Sequence, residues 1–314
     1  MVYDIIGDIH GHADELSLLL AKLGYRYEGG KYFQPGHQAI FIGDFIDRGP
    51  KIRETLAIVR TMVMHGAART VLGNHEYNAI CYHTEDGKGD FLRSHTVGDG
   101  KNTKQHQQTI KQLAFPHPGE WRMYLDWFKG LPFFLELNGL RVVHASWDSE
   151  FAEFVRERSL NDTEFLHRSA TKGSKEFEAI DKLLKGPEIP LPLTFSAPDS
   201  EGFERTEMRL AWWKPRSGGN RFRYDELAVP GEGNMPSDII PVEDLKRWPG
   251  YANGEEPVIF GHYWLPADAP APLSANAACV DFGVAKPGWR LVAYTWRGER
   301  TLTAEHFANV PRIG

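Results

Sequence analysis

Three short apolar runs in the first quarter of the chain each stop at a glycine-led polar turn, and this repeated ending most constrains the fold. Val2 to Ile6 runs into Gly7-Asp8-Ile9-His10-Gly11, Ala39 to Ile42 into Gly43-Asp44 with Asp47-Arg48-Gly49, and Thr70 to Leu72 into Gly73-Asn74-His75-Glu76. Between them, Leu16, Leu18, Leu19, Leu20 and Leu23 follow helical spacing before Gly24. Lys51 to His65 reads as a second helix, with Leu56, Val59 and Val63 on one side. Strand, helix, strand, helix, strand predicts an α/β fold with a largely parallel sheet, and parallel strands bring their ends to one edge.

Residues 82–118 lose this rhythm and read as an irregular insertion, a loop or an irregular helix. Trp121 to Phe128 is predicted helical, and Asn138-Gly139 between Phe133 to Leu137 and Leu140 to Val143 predicts a hairpin that carries His144 to a sheet edge. Residues from about 150 to 256, helical in pieces and then rich in Pro and Gly, read as a cover over that edge. Pro257 to Phe260 is a further strand ending at Gly261-His262. Ala277 to Phe282 and Leu291 to Trp296 read as hairpin-linked strands of a second sheet.

A net charge of −6 argues against a nucleic-acid surface that depends on a general positive field. Two cysteines, Cys81 and Cys279, are too few for a disulfide scaffold and fit a reducing cytoplasm. The chain enters its first strand without a leader-like apolar segment, and no run reaches the length of a membrane span. A single domain over residues 1–314 is the expectation.

Asp8, His10, Asp44, Asn74, His144 and His262 all sit at strand ends, and their donor types suit borderline divalent ions, Mn first, with Fe or Zn as alternatives. Asp8 and His10 can face one ion. Asp44 is placed to bridge two, and Asn74, His144 and His262 can complete a second centre. Two such ions about 3.5–4 Å apart clamp the oxygens of an in-line displacement at phosphorus.

The Asp8-Ile9-His10-Gly11, Gly43 to Gly49 and Gly73-Asn74-His75-Glu76 motifs, with His144, resemble the calcineurin-like metallophosphoesterases, and in particular their phosphoprotein-phosphatase branch. The resemblance implies a four-layer αββα sandwich of two mixed sheets flanked by helices. It implies Asp8, His10 and Asp44 on one ion, and Asp44, Asn74, His144 and His262 on the other, with a metal-bridging hydroxide attacking in line. It also gives His75 the role of general acid, Asp47 that of its orienting partner, and Arg48 that of phosphate grip. The implied substrate is a nucleotide or diadenosine polyphosphate. A serine/threonine phosphoprotein is the alternative, and a metal-free, degenerate binding module the alternative of another class. The sequence departs from the family at His144-Ala145-Ser146-Trp147, where Gly usually follows His-Ala, and at His262-Tyr263-Trp264, which lacks the second histidine of Gly-His-x-His.

Arg209, Trp212 and Lys214 are candidate substrate contacts, with phosphate for the cations and a base for the indole. A buried pair of Trp212 and Trp213 with solvated cations competes with this reading. Arg216, Arg221 and Arg223 around Gly218-Gly219 read as a charged loop. Glu76 reads as a structural partner of its loop, and His12 as a surface or supporting residue. His83, His95, His106 and His117 match no metal spacing and read as a solvated loop.

Overall fold

Successive residues of each central strand are apolar on both faces, so each strand can be covered on two sides, and the two halves of the core divide along that alternation. The computed structural model describes residues 1–192, 195, 197–198, 204–215, 221–230, 235–246, 248, 250–266 and 269–313. The strands of its two main sheets are β1 (Val2–Ile6), β2 (His37–Phe41), β3 (Ala68–Thr70), β4 (Phe134–Leu137), β5 (Leu140–Val143), β6 (Val258–Phe260), β7 (Ala277–Cys279), β8 (Arg290–Trp296) and β9 (Phe307–Pro311). The first sheet runs β9-β8-β1-β2-β3, with β1, β2 and β3 parallel and β8 antiparallel to both its neighbours. The second runs β7-β6-β5-β4, where β6 is parallel to β5 and β7, and β4 closes the predicted hairpin.

Ile5 and Ile40 from the first sheet, with Ile42 and Val71 one residue past its strand ends, meet Leu135, Val142, Ile259 and Ala278 from the second in one buried cluster between the sheets. Their neighbours Ile6, Phe41, Val143 and Phe260 point the other way, into the larger core that also holds the buried helix residues. This alternation is the period of two expected of pleated strands. Helices Ala13–Lys22 and Ile52–Met64 flank the first sheet, their buried faces made by Leu16, Leu19, Leu20 and by Leu56, Val59, Met62. Helices Ser149–Val155, Thr163–Ser169 and Lys175–Lys185 lie by the second, where Phe165 meets Phe133 at 6.1 Å and the Leu183 carbonyl accepts the Ala145 N–H. The result is the expected αββα sandwich.

Two expectations are corrected. The 277 and 291 strands are not a hairpin: β7 joins the second sheet and β8 joins the first, beside β1. The link between them is too long for a tight turn and bends at Gly283, so the chain crosses from one sheet to the other. The third strand ends at Thr70, before Val71 and Leu72, because the Leu72 N–H already turns away to the Pro132 carbonyl. Of the two readings of the insertion, loop or irregular helix, the structure has the second: a helix Val97–Thr109 continued by a π-helical turn Ile110–Ala114. Lastly, the strand Phe307–Pro311 was not foreseen.

Candidate active site at the shared sheet edge

Every one of the six non-glycine residues with positive φ among the described residues lies in the polar turns: His10, Asp44, Asp47, Arg48, His262 and Trp264. Each such residue costs about 1–3 kcal/mol, and strain of this kind collects where a site must be held in one geometry. The turns are held by buried acceptors. Glu76 Oε2 and Oε1 accept the N–H groups of Asp44 and Phe45 at 2.7 and 2.8 Å, which makes Glu76 the structural partner expected of it. Gly73 is required by close approach: a Cβ there would lie 2.3 Å from Asp44 Oδ1 and 2.6 Å from Glu76 Oε2. Gly73→Ala should therefore cost about 1–3 kcal/mol by overpacking and reduce bound metal, which a thermal melt paired with metal analysis would measure.

The turns bring two groups of possible ligands together around one carboxylate. His10, Asp44 and His75 form one, and Asp44, His144 and His262 the other, each compact enough to hold a metal ion. Asp44 Oδ2 lies 3.6 Å from His10 Nε2, whereas Oδ1 lies 3.6 Å from His144 Nε2, so one oxygen faces each group. Asn74 Oδ1 is 2.9 Å from both His144 Nε2 and His262 Nδ1. Asp8 stands at the edge of this floor, its Oδ2 3.3 Å from the His262 N–H and its carboxyl beside Asp281.

The donor set fits a cation. His10 Nδ1 faces the Ile46 carbonyl at 2.9 Å, so it carries the proton, and Nε2 is left buried with no hydrogen-bond partner. His144 Nδ1 likewise faces the Ile42 carbonyl at 2.7 Å. Its Nε2 is then an acceptor aimed at another acceptor, Asn74 Oδ1, a pairing that a positive charge between them resolves. Burial, then the nearby His75, lowers His10 to a pKa of about 3 despite Asp44, and burial with Arg209 and His144 pushes His262 well below its usual value. Both rings are thus neutral and free to ligate. Burial, Asp281 and Asp44 raise Asp8, and burial and Asp44 raise Glu76 to about 8, the signature of excess buried negative charge awaiting a counter-ion.

Beside the ligand groups, His75 Nδ1 meets Asp47 Oδ2 at 2.6 Å while its Nε2 turns to Asp44 Oδ2 at 3.9 Å. Burial opposes charge on His75, but Asp44 and the bond to Asp47 outweigh it and raise its pKa. Asp47 is itself held well below the carboxylate range, because hydrogen bonds from His106 and His75 outweigh its burial. His106 Nδ1 and Thr109 Oγ1 reach Asp47 Oδ1 at 2.9 and 2.6 Å from the insertion helix. His106 is therefore buried at the site and not part of a solvated loop, as the sequence reading had it. Its spacing of three from Thr109 was the available signal, obscured by Gly98 and Gly100 in a polar helix of poor propensity. Asp281, which closes against Asp8, was also missed. His12 is buried too, its Nδ1 3.4 Å from Glu15.

Of the proposed substrate contacts, Arg209 stands near enough to depress His262 and also faces Glu188 at 3.6 Å. Trp212 is corrected: it is 2% exposed, packs on Phe260 and Tyr251, and donates to the Ala145 carbonyl, so no base can stack on it. Lys214 is exposed and engaged with the Glu226 carbonyl. Arg223 pairs with Asp225 at 2.6 Å, and Arg216, Gly218 and Gly219 lie outside the described residues.

The sequence profile of the calcineurin-like phosphoesterases matches residues 1–263. The chain belongs to that family. This phosphoesterase is 49% identical over 76 residues to the asymmetrical bis(5'-nucleosyl)-tetraphosphatase PrpE of Halalkalibacterium halodurans, a match covering 24% of this chain and 31% of that protein. It is 30% identical over 147 residues to the symmetrical bis(5'-nucleosyl)-tetraphosphatase of Neisseria gonorrhoeae, covering 46% and 43%. The chain thus spans less than half the length of either relative. Among solved structures, a serine/threonine phosphatase from Saccharomyces cerevisiae with similarity to human phosphatase PP5 superposes with a TM-score of 0.51 at 13% identity, covering 100% of this chain and 80% of the other, a likeness of fold.

Proposed function

We propose that this phosphoesterase hydrolyses a nucleotide or dinucleoside polyphosphate with two divalent ions, Mn first, held on Asp8, His10, Asp44, Asn74, His144 and His262. The observation that carries the reading is the sharing of Asp44, one oxygen to each ligand group. When bound, the two ions supply a hydroxide nucleophile near neutral pH and neutralise charge on phosphoryl oxygens. The chain's own residues do the rest. Arg48, exposed at the mouth, presents a planar donor fork to the phosphoryl group. His75 delivers a proton from Nε2 to the departing oxygen, and Asp47 fixes the ring and keeps it charged. His106 and Thr109 hold Asp47 in turn.

The substrate class is supported by the activity that the bacterial relatives are named for, and Arg209 beside His262 is the remaining candidate for a further phosphate contact. We read residues 1–314 as one phosphoesterase domain, since β8 and β9 near its end complete the sheet begun by β1. Among the described residues no helix is long and apolar enough to cross a membrane, and Cys81 and Cys279 are buried and free, which supports action in a reducing cytoplasm.

Turnover of diadenosine tetraphosphate, a phosphoserine peptide and an aryl phosphate, measured side by side with Mn, tests the reading. The dinucleotide should be hydrolysed fastest, and chelation should abolish all three activities. Preference for the peptide would establish the phosphoprotein alternative, and metal content well below one ion per chain would establish the metal-free binding module.

A further inference from the structure

Trp264 follows the ligand His262 by two positions and adopts φ +50°, a conformation a bulky residue rarely takes. Asp281 enforces it: one carboxylate oxygen accepts the Trp264 N–H at 2.9 Å and the other the Gly283 N–H at 2.9 Å. The strained turn sets the indole at the rim of the site, 6.3 Å from the His10 ring. Two cations gather on it. The Arg48 guanidinium carbon stands 4.5 Å from the Trp264 ring centre, and the Lys286 ammonium stands 4.8 Å from Trp264 and 4.5 Å from Trp289. The tight turn that closes with Lys286 donating its N–H to Gly283 holds that lysine in place.

Among the described residues, neither the Arg48 nor the Lys286 side chain makes a hydrogen bond or an ion pair, so their N–H donors remain free. Indole faces attract cations, and here one face system collects two that repel each other. Burial and then the Arg48 charge make Lys286 less basic than an ordinary lysine, with Asp281 opposing. An anion reaching both would relieve that repulsion, and the position next to the phosphate-gripping arginine defines which anion it is.

We propose that Arg48, Trp264 and Lys286 form a second phosphate subsite, which binds the phosphate adjoining the one attacked and so selects phosphoanhydride chains over simple monoesters. The subsite rests on the phosphoesterase reading of the neighbouring centre and gives its substrate class a structural cause. Lys286 is its specificity-determining residue. Trp264 is a positioning residue, holding both cations over one rim.

Calorimetric titration with tripolyphosphate and with orthophosphate, in a fixed excess of Mn, tests it on wild type, Lys286→Met and Lys286→Arg. Chelation of Mn is the same for all three proteins and cancels in their comparison. Wild type should bind tripolyphosphate more tightly than orthophosphate. Lys286→Met should weaken tripolyphosphate about tenfold while orthophosphate stays within about twofold, and Lys286→Arg should restore the preference. Equal weakening of both anions, unchanged tripolyphosphate binding, or no preference in wild type would each overturn the subsite. Turnover of diadenosine tetraphosphate by wild type is a separate readout: its absence beside a Lys286-dependent preference would remove the proposed substrate and leave the subsite standing.

Discussion

Asp44→Asn should reduce turnover by more than about a thousandfold, since loss of a single preorganised donor already costs about a hundred- to a thousandfold in other active sites. The reason is topological. Asp44 is the one residue common to both groups of possible ligands, and its two oxygens face different ones, so on the proposed two-ion reading the substitution would take a charged ligand from each ion at once. The fold should survive. The asparagine oxygen can still accept the His75 N–H that Asp44 Oδ1 takes at 2.9 Å, and Glu76 binds the backbone of residue 44, not its side chain. The new amide could donate to His10 Nε2, which has no partner. Metal analysis should fall from about two ions per chain to one or none with the melting temperature of metal-free protein preserved. Full metal content with retained turnover would refute the bridging role.

That much of the site was legible because its chemistry is local in sequence. A glycine followed by Asp, Asn or His at the end of an apolar run states both where a strand stops and what it presents, and the parallel order of β1, β2 and β3 does the rest. His144 and His262 were readable for the same reason, each closing a strand of the second sheet. What could not be read was the partnership between distant segments. β8 inserts beside β1 across almost the whole chain, and no local period distinguishes that pairing from a hairpin with β7. Trp212 and Trp213 illustrate the opposite failure, since amphipathic aromatics suit a stacking surface and a core equally until Phe260, Tyr251 and Tyr263 surround them. Asp281 is legible only once its buried partner Asp8 is in view, and the spacing of His106 from Thr109 gains meaning only beside Asp47.

His75→Asn should lower turnover of a poor leaving group, such as an alkyl phosphate, by about a hundred- to ten-thousandfold. An activated aryl phosphate, whose leaving oxygen needs no proton, should lose much less. Equal losses on both would sink the general-acid role, because a ring that merely packs the site affects every substrate alike. The pH profile adds a sign. With Asp44 engaged by the ions, it is the bond and charge of Asp47 that favour the acid form of His75, and activity should fall as pH climbs through the His75 value. Asp47→Asn removes that charge and should move the alkaline limb to lower pH. His106→Asn loosens a hydrogen bond that disperses the Asp47 charge, which leaves more of it to His75, and should move the limb slightly to higher pH. The same linkage governs folding of the metal-free protein: a raised His75 stabilises it fully below about pH 6.5, and that contribution disappears as pH rises through the folded value. His75→Asn should therefore flatten the stability profile over that interval, a denaturation measurement independent of turnover. If the alkaline limb stays fixed in all three variants, the proton comes from elsewhere, and the Asp47–His75 bond is structural.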